Sequence, residues 1–435
     1  MTTTRSSTRT LILGGGISGL LAAWHLRRKG LEVGVWEAAG APGGWVQTLP
    51  WPGPAGQPGF LERGPQALRV GRGSALERLL GELGLELCPS SARGPRWLGK
   101  EGRRHPGPTT LAGLVRTPGL GLGGHLRMLL EPFLPAGGGP DETLHAFCAR
   151  RLGAGFATEL LPALVAGLLA APPDRIGMAA LPRLRRLESQ GGLLLGSLRQ
   201  GRECSRRPAG GMGALALALA AQVEVATHRL VRALEPLPGG RWRVHAEGLA
   251  STEADAVIVA LPSPAAAALL RSVAPEAAKI LESIPRLDLH VWHSRHAPVR
   301  GWERGLGLLI HPPEGRGLLG ATSFPADDPR GVPGLLQVRT YVGGAYPVAP
   351  SLSHWAGVLE ELRRWLPELG EAVQVREETC PGAFPLLEPG HGGRATRLLN
   401  DLPANLHWIG ADRFGPGLPD LAEGMERWAE GYPVV

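Results

Sequence analysis

The sequence predicts an α/β protein in which a parallel-sheet, nucleotide-binding domain is interleaved with a helical domain and an α+β sheet domain. Three observations predict it. The chain begins with an apolar run, a glycine-rich turn and an apolar helix pattern, the order of a strand–turn–helix unit. Far downstream, Ala256 to Pro262 is an unbroken apolar run, which suits a parallel strand buried on both faces. Near the end, Asn405 to Asp412 reads as a short strand closing in a small-residue turn, before a helix-like run from Leu421 to Ala429.

The first unit carries the most chemistry. Leu11-Ile12-Leu13 leads into Gly14-Gly15-Gly16-Ile17-Ser18-Gly19, with Gly14, Gly16 and Gly19 in a G-x-G-x-x-G frame. The first glycine permits a tight turn, and the second lets backbone N–H groups approach a pyrophosphate. The third lets the helix pack close to the strand. The helix N-terminus then faces the phosphates with its partial positive charge. Glu32 to Glu37 reads as the second strand, and Glu37, eighteen residues beyond Gly19, stands where a ribose hydroxyl would be held.

Gly43-Gly44-Trp45 and Phe60-Leu61-Glu62-Arg63-Gly64-Pro65 follow. Paired glycines there would let a second loop close over the pyrophosphate and ribityl chain, an extension that nicotinamide dehydrogenases do not need. FAD-dependent oxidases of the amine-oxidase type carry it, and this stretch resembles theirs. At the other end, Gly415-Pro416-Gly417-Leu418-Pro419-Asp420 leads into the last helix. A helix N-terminus aimed at the flavin N1–C2=O edge would stabilise the anionic reduced flavin.

Between these ends the pattern changes twice. From Ser74 the apolar residues fall at helical spacing, and Gly107 to Gly124 reads as a loop-rich surface. Asp141-Glu142-Thr143 starts a helix that runs to a glycine stop at Gly153, and helices continue through Leu198. Around Pro208–Met212 the character shifts to a helix (Ala214 to Ala221). Strands follow at Val223–Val225 and Arg241–Val244, with Gly239-Gly240 as a hairpin turn. Leu287 to Phe384 alternates strands and turns around one helix, Trp355 to Trp365. The resulting division is 1–73, 205–286 and 385–435 for the nucleotide-binding domain, 74–204 for the helical domain and 287–384 for the sheet domain.

Composition narrows the partners. Lysine and arginine total 46, and only Lys29, Lys100 and Lys279 are lysines, so 43 arginines generate the net charge of +7. No basic-aromatic repeat or metal-ligand spacing accompanies them, which argues against nucleic acid and against a metal site. The arginine excess reads most simply as a compositional bias that accompanies high Ala, Gly and Pro, with anionic substrates, or anionic lipid near them, left open as partners. Cys88, Cys148, Cys204 and Cys380 are scattered, which suggests reduced thiols in a cytosolic setting. Residues 1–9 lack a signal pattern. The longest apolar stretch, Leu160 to Pro173, falls short of a spanning helix. The expectation is a cytoplasmic protein, with peripheral contact on the inner face of the cell membrane left open, as is the oligomeric state.

Taken together, the motifs resemble the protoporphyrinogen oxidases, FAD-dependent enzymes of haem biosynthesis. The resemblance rests on the G-G-G-I-S-G-L turn, Gly43-Gly44-Trp45, Glu62–Pro65, and Asp141–Phe147 with Arg150–Gly153. Gly210-Gly211-Met212, Ala383-Phe384-Pro385 with Gly390-His391, and the terminal Gly410-Ala411 and Gly417–Asp420 extend it over nearly the whole chain. It implies FAD contacts at Gly14, Gly15, Gly16, Ile17, Ser18 and Gly19, at Glu37 and Ala38, and at Gly44 and Trp45. Further contacts are implied at Gly64, Pro65, Gln66 and Ala67, at Val231, at Ala411, and at Pro416, Gly417 and Leu418.

The family's propionate-pairing arginine matches Arg96, whose guanidinium fork suits a carboxylate. Tyr341 falls where the family places an apolar residue near the flavin, and Gln66 where relatives often carry a basic one. Both are departures. The implied reaction removes six electrons from a porphyrinogen in three two-electron steps, with noncovalent FAD as hydride acceptor and dioxygen reoxidising it to release hydrogen peroxide. Cys380 lies where monoamine oxidases tether their flavin, but it lacks the preceding glycines. No general base is named, and His290, His293, His296, His354 and His391 read as structural or surface residues. A coproporphyrinogen III oxidase, or another flavin amine oxidase or desaturase, is the alternative.

Overall fold

Five parallel strands make the first sheet, in the order Glu224–Ala226, Glu32–Trp36, Arg9–Leu13, Ala256–Val259 and Leu406–Trp408. The structure, a computed structural model, describes residues 9–90, 94–107, 122–199, 204–325 and 327–433. The sheet is apolar on both faces, as an all-parallel sheet must be. Ile12, Val33, Val35 and Ile258 pack with the helices Ile17–Arg28, Gly213–Ala220 and Leu418–Glu430. Leu11, Leu13, Val257 and Val259 face the opposite core, which holds the helices Ser263–Leu270 and Pro275–Glu282.

The run Ala256–Val259 is wholly buried and central, as its composition predicts. The hairpin at Gly239-Gly240 joins Val231–Leu237 to Arg241–Ala246 in a small antiparallel sheet with Thr252–Ala254. The last helix begins at Leu418 rather than Leu421. Pro419 and Asp420 form its first turn, where a proline costs no hydrogen bond.

The second sheet has seven strands, ordered Ala372–Pro385, Arg286–His296, Leu336–Gly343, Leu318–Ser323, Gly307–Ile310, Arg96–Lys100 and Arg103–Pro106. The last two correct the expectation of a purely helical segment from Ser74. Arg96–Lys100 runs parallel to Gly307–Ile310 and satisfies the edge that strand would otherwise expose. Its short, polar sequence gives no clean alternation, so periodicity missed it. One face of this sheet packs on the helix Trp355–Trp365 through Val338, Val342, Leu362 and Trp365.

The helical layer supplies Leu144–Leu152, Ala154–Glu159, Leu161–Leu169 and Pro182–Ser189. Thr143 caps the first, its hydroxyl accepting from Ala146 N at 3.0 Å, and Gly153 ends it at φ 97°. Arg151 and Glu131 form an ion pair with both side chains fully buried. Glu131 also accepts from the backbone N–H groups of Leu193 and Leu194, so its oxygens are satisfied inside the layer. Most of the loop expected over Gly107–Gly124 lies outside the described residues, and a helix begins at Leu122.

Candidate active site

The glycine turn has the geometry its spacing requires. Gly14 sits at φ 107°, and a Cβ there would lie 2.8 Å from the carbonyl oxygen of Ala260. A Cβ on Gly19 would collide with the carbonyl oxygen of Gly14, so the helix can approach the strand only without a side chain. Gly16 is different: nothing lies within 4 Å of where its Cβ would stand, which leaves open space in front of the helix N-terminus. No side chain caps that helix. An anion can therefore take the place of a cap. Two loops border this space. Gly43 N donates to Gly15 O at 2.8 Å, and Gly44, at φ 58°, lies against Gly16 Cα. From the far end of the chain, Gly410 lies near Ser18, whose Oγ a Cβ on Gly410 would meet at 3.8 Å.

Glu37 ends the second strand beside this space. Its Oε2 accepts from Gly15 N at 2.7 Å and its Oε1 from Ala39 N at 2.8 Å. The segment before Val231 runs along it, with Glu37 N donating to Ala226 O and Arg229 N to Glu37 O. Gly14–Gly19, Glu37, Ala38, Gly44, Ala411 and the approach to Val231 thus come together from four separate parts of the chain. Leu418 packs on the same core as Ile17, and Asp420 lies buried in the first turn of its helix. Burial pushes the Asp420 carboxyl above the usual carboxylate range, opposed by Arg186 at 3.3 Å.

The face of the seven-stranded sheet opposite the helix Trp355–Trp365 is buried under the segment from Trp51 to Gln66, which includes the short strand Phe60–Glu62, and Arg295, Gln337 and Arg339 are at most 4% exposed. Gln337 Nε2 donates to Phe60 O at 3.1 Å. Arg339 donates to Gly64 O at 2.6 Å and to Arg63 O at 3.1 Å. Gln66 Nε2 donates to Tyr341 Oη at 2.9 Å. On the neighbouring strand Arg295 donates to the carbonyls of Trp51 and Pro52. Beneath the loop, Glu62 accepts from Thr48, from Met212 N and from Arg330, which is also paired with Asp328. The side chains of Glu62, Arg330 and Asp328 are at most 3% exposed.

Gly64 shares this packing, since a Cβ on it would collide with Trp45 O. Trp45 and Tyr341 border an apolar cluster of Ala166, Ala170, Leu289, Val291, Leu319 and Cys380. Burial pushes the Cys380 thiol above its ordinary range.

Strand register places Arg96 on this same face. Arg376, His293, Arg339, Thr322, Gly307 and Arg96 stand opposite one another in one line across six strands. Arg96 is three strands from Arg339, about 14 Å at a spacing of about 4.8 Å. It therefore does not meet Tyr341, and the two stand toward opposite ends of the face. The Arg96 side chain lies across Gly307, and burial lowers its guanidinium from the ordinary arginine range.

Sequence reasoning did not find Gln337, Arg339, Arg330 or Glu62 as parts of the site. The signal was present in Leu336–Gly343, where Gln337, Arg339 and Tyr341 fall on one face and Val338, Thr340 and Val342 on the other, although every residue of the strand but Tyr341 is buried. Four of the five histidines have local partners: His290 pairs with Glu377, His296 with Gly370 O and Ser294, His354 caps the helix Trp355–Trp365, and His391 Nε2 pairs with Asp412 O, whereas both ring nitrogens of buried His293 lack a partner among the described residues.

Comparison with known proteins places the geometry in context. Residues 17–418 match the family described as flavin containing amine oxidoreductase. The chain is 32% identical over 382 residues to a protoporphyrinogen oxidase of Homo sapiens, covering 77% of each. It is 25% identical over 466 residues to a coproporphyrinogen III oxidase of Bacillus subtilis (strain 168), covering 95% of each. A crystal structure from Exiguobacterium sp. 255-15 shares the fold with a TM-score of 0.76 at 22% identity, covering 98% of both chains.

Proposed function

Since the chain belongs to the flavin-containing amine oxidoreductase family, we propose that it oxidises protoporphyrinogen IX to protoporphyrin IX, with FAD as the cofactor and dioxygen as the final acceptor. The observation that carries this reading is the Trp51–Gln66 loop, which borders the nucleotide cradle and is tied to the sheet that bears Arg96 and Tyr341, mostly through sheet side chains donating to loop carbonyls. The open space at Gly16 and the N-terminus of Ile17–Arg28 would hold the pyrophosphate. Glu37 would hold a ribose hydroxyl. Gly44, Trp45 and Gly64–Ala67 would cover the ribityl chain, with Val231 toward the adenine end and Ala411 and Pro416–Leu418 toward the isoalloxazine. Bound there, FAD supplies hydride acceptance. The apolar cluster beside Tyr341 would receive the macrocycle and exclude water, while Arg96 would fix a propionate.

The FAD in this reading is noncovalent, which the burial of Cys380 supports by disfavouring its nucleophilic thiolate. The three-domain division with the nucleotide-binding domain in three pieces is kept as part of the proposal, with Arg96–Pro106 moved from the helical domain to the sheet domain whose strands it extends. So is peripheral membrane contact. No helix among the described residues is long and apolar enough to cross a membrane, but Leu126, Leu129, Leu130 and Phe133 form an exposed apolar run on the helical layer. Flotation with anionic vesicles checks it: Phe133→Asp should abolish association seen with the wild type.

Four propionates in place of two distinguish coproporphyrinogen III, and the likeness to the Bacillus subtilis enzyme along 95% of both chains supports that second reading. Anaerobic titration of the purified, flavin-loaded protein with each porphyrinogen decides. Protoporphyrinogen should bleach the flavin and yield protoporphyrin by chromatography. Bleaching by coproporphyrinogen alone moves the assignment to the second reading, and bleaching by neither ends both.

A further inference from the structure

The strand Leu336–Gly343 meets the covering loop through a ladder of three rungs. Gln337 and Arg339 end on backbone carbonyls, of Phe60 and of Arg63 and Gly64, which almost any loop sequence supplies. The third rung is built differently. Gln66 Nε2 donates to Tyr341 Oη at 2.9 Å, side chain to side chain, across 275 residues of sequence. Both ends of that bond are themselves fixed. The Gln66 carbonyl accepts from Arg330 Nη1 at 3.2 Å, and the Arg339 guanidinium stands 5.0 Å from the Tyr341 ring centroid. The residue paired with Tyr341 on the next strand is Gly320, and its neighbour Leu319 belongs to the apolar cluster that Tyr341 borders. Tyr341 also borders the apolar cluster containing Leu289, Val291 and Cys380. A ring held at its root by the sheet and at its tip by the loop is a preorganised wall rather than a free rotor.

We propose that Gln66 and Tyr341 form a positioning pair, which fixes the Tyr341 ring so that the substrate macrocycle meets the flavin loop in one orientation. The proposal rests on the porphyrinogen-oxidase reading and names what orients the substrate in that site. Orientation acts on the reacting geometry: a small misplacement is costly in rate while leaving most of the apolar contact intact.

Tyr341→Phe keeps the ring and removes the hydroxyl, Gln66→Leu keeps the volume and removes the amide, and the double variant closes the cycle. Each single change should lower kcat about 3–10-fold with KM changed less, and the double should be no slower than the slower single, because both remove one bond. FAD release, followed by fluorescence, should quicken in each single variant and no further in the double. Independent effects that multiply in the double variant overturn the pair. So does a Tyr341→Phe enzyme that melts at lower temperature but keeps wild-type kcat and KM, since the bond would then be structural only. If the wild type oxidises no porphyrinogen, the proposed function fails on its own account, and FAD release then decides the pair by the same cycle.

Discussion

At Gly19 one methyl group decides whether the turn can exist. A Cβ there meets the carbonyl oxygen of Gly14, which is backbone and cannot step aside. Gly19→Ala should therefore yield protein with a greatly reduced flavin-to-protein absorbance ratio, whereas Gly16→Ala, with open space around it, should keep its fold and lose flavin affinity alone. Equal flavin content in Gly19→Ala and wild type would refute the packing argument. Burial lowers the pKa of several histidines, His293 and His407 among them. His293 is buried among Arg339, Arg376 and Arg295, and burial first, then those charges, lowers its pKa well below the ordinary value. His407, beside Trp428, Tyr432 and Arg413, is lowered from 6.5 to about 4, mainly by burial. The unfolded chain binds these protons first, so stability present above about pH 6.5 declines as pH falls toward 4. Melting temperatures measured across that window should drop, and His407→Phe should flatten the drop. Gly14, Gly19 and Glu37 were legible because their roles are local to one turn. Arg339 and Arg330 were not, because the partners that tie them to the covering loop, Arg63 and Gly64 for the one and Glu62 and Gln66 for the other, lie more than 260 residues away.

The elements differ in how plainly they are written. Leu144–Leu152 carries its own cap and stop, and Trp355–Trp365 has apolar residues on one face, so both were read almost to the residue. Arg96–Lys100 carries neither signal and is defined by the edge it pairs with. Removing the cap by Thr143→Ala should cost about 1 kcal/mol, read as a shift in the urea midpoint. The helical layer has a more sensitive point. Arg151→Met would leave Glu131 buried and unpaired inside it, at about 3–5 kcal/mol, whereas Arg151→Met with Glu131→Leu should recover much of that loss. A double variant no more stable than Arg151→Met would show that the pair is not what the layer depends on.

For the molecule as a whole, the cradle draws its walls from residues 14–19, 37–44, 226–231 and 410–418. A ligand bridging them binds only the assembled state, so FAD at about 100 times its dissociation constant should add about 2.7 kcal/mol of stability. The same melt run with and without FAD checks it, and an unmoved melting temperature would contradict a flavin held by all four segments. Interleaving also sets a clock. The strand Leu406–Trp408 pairs with Ala256–Val259, and Gly410 lies near Ser18, yet nearly four hundred residues separate these N- and C-terminal parts of one sheet. At about 5–20 residues per second, the ribosome needs roughly 20–75 s to pass from the second strand to the last. Throughout that interval the nascent chain holds a glycine turn, an open sheet edge and no finished cradle. On the proposed cradle, cofactor capture would come only after the last strand is made, and whatever shields that edge in the meantime would set how much of the synthesised chain becomes holoprotein.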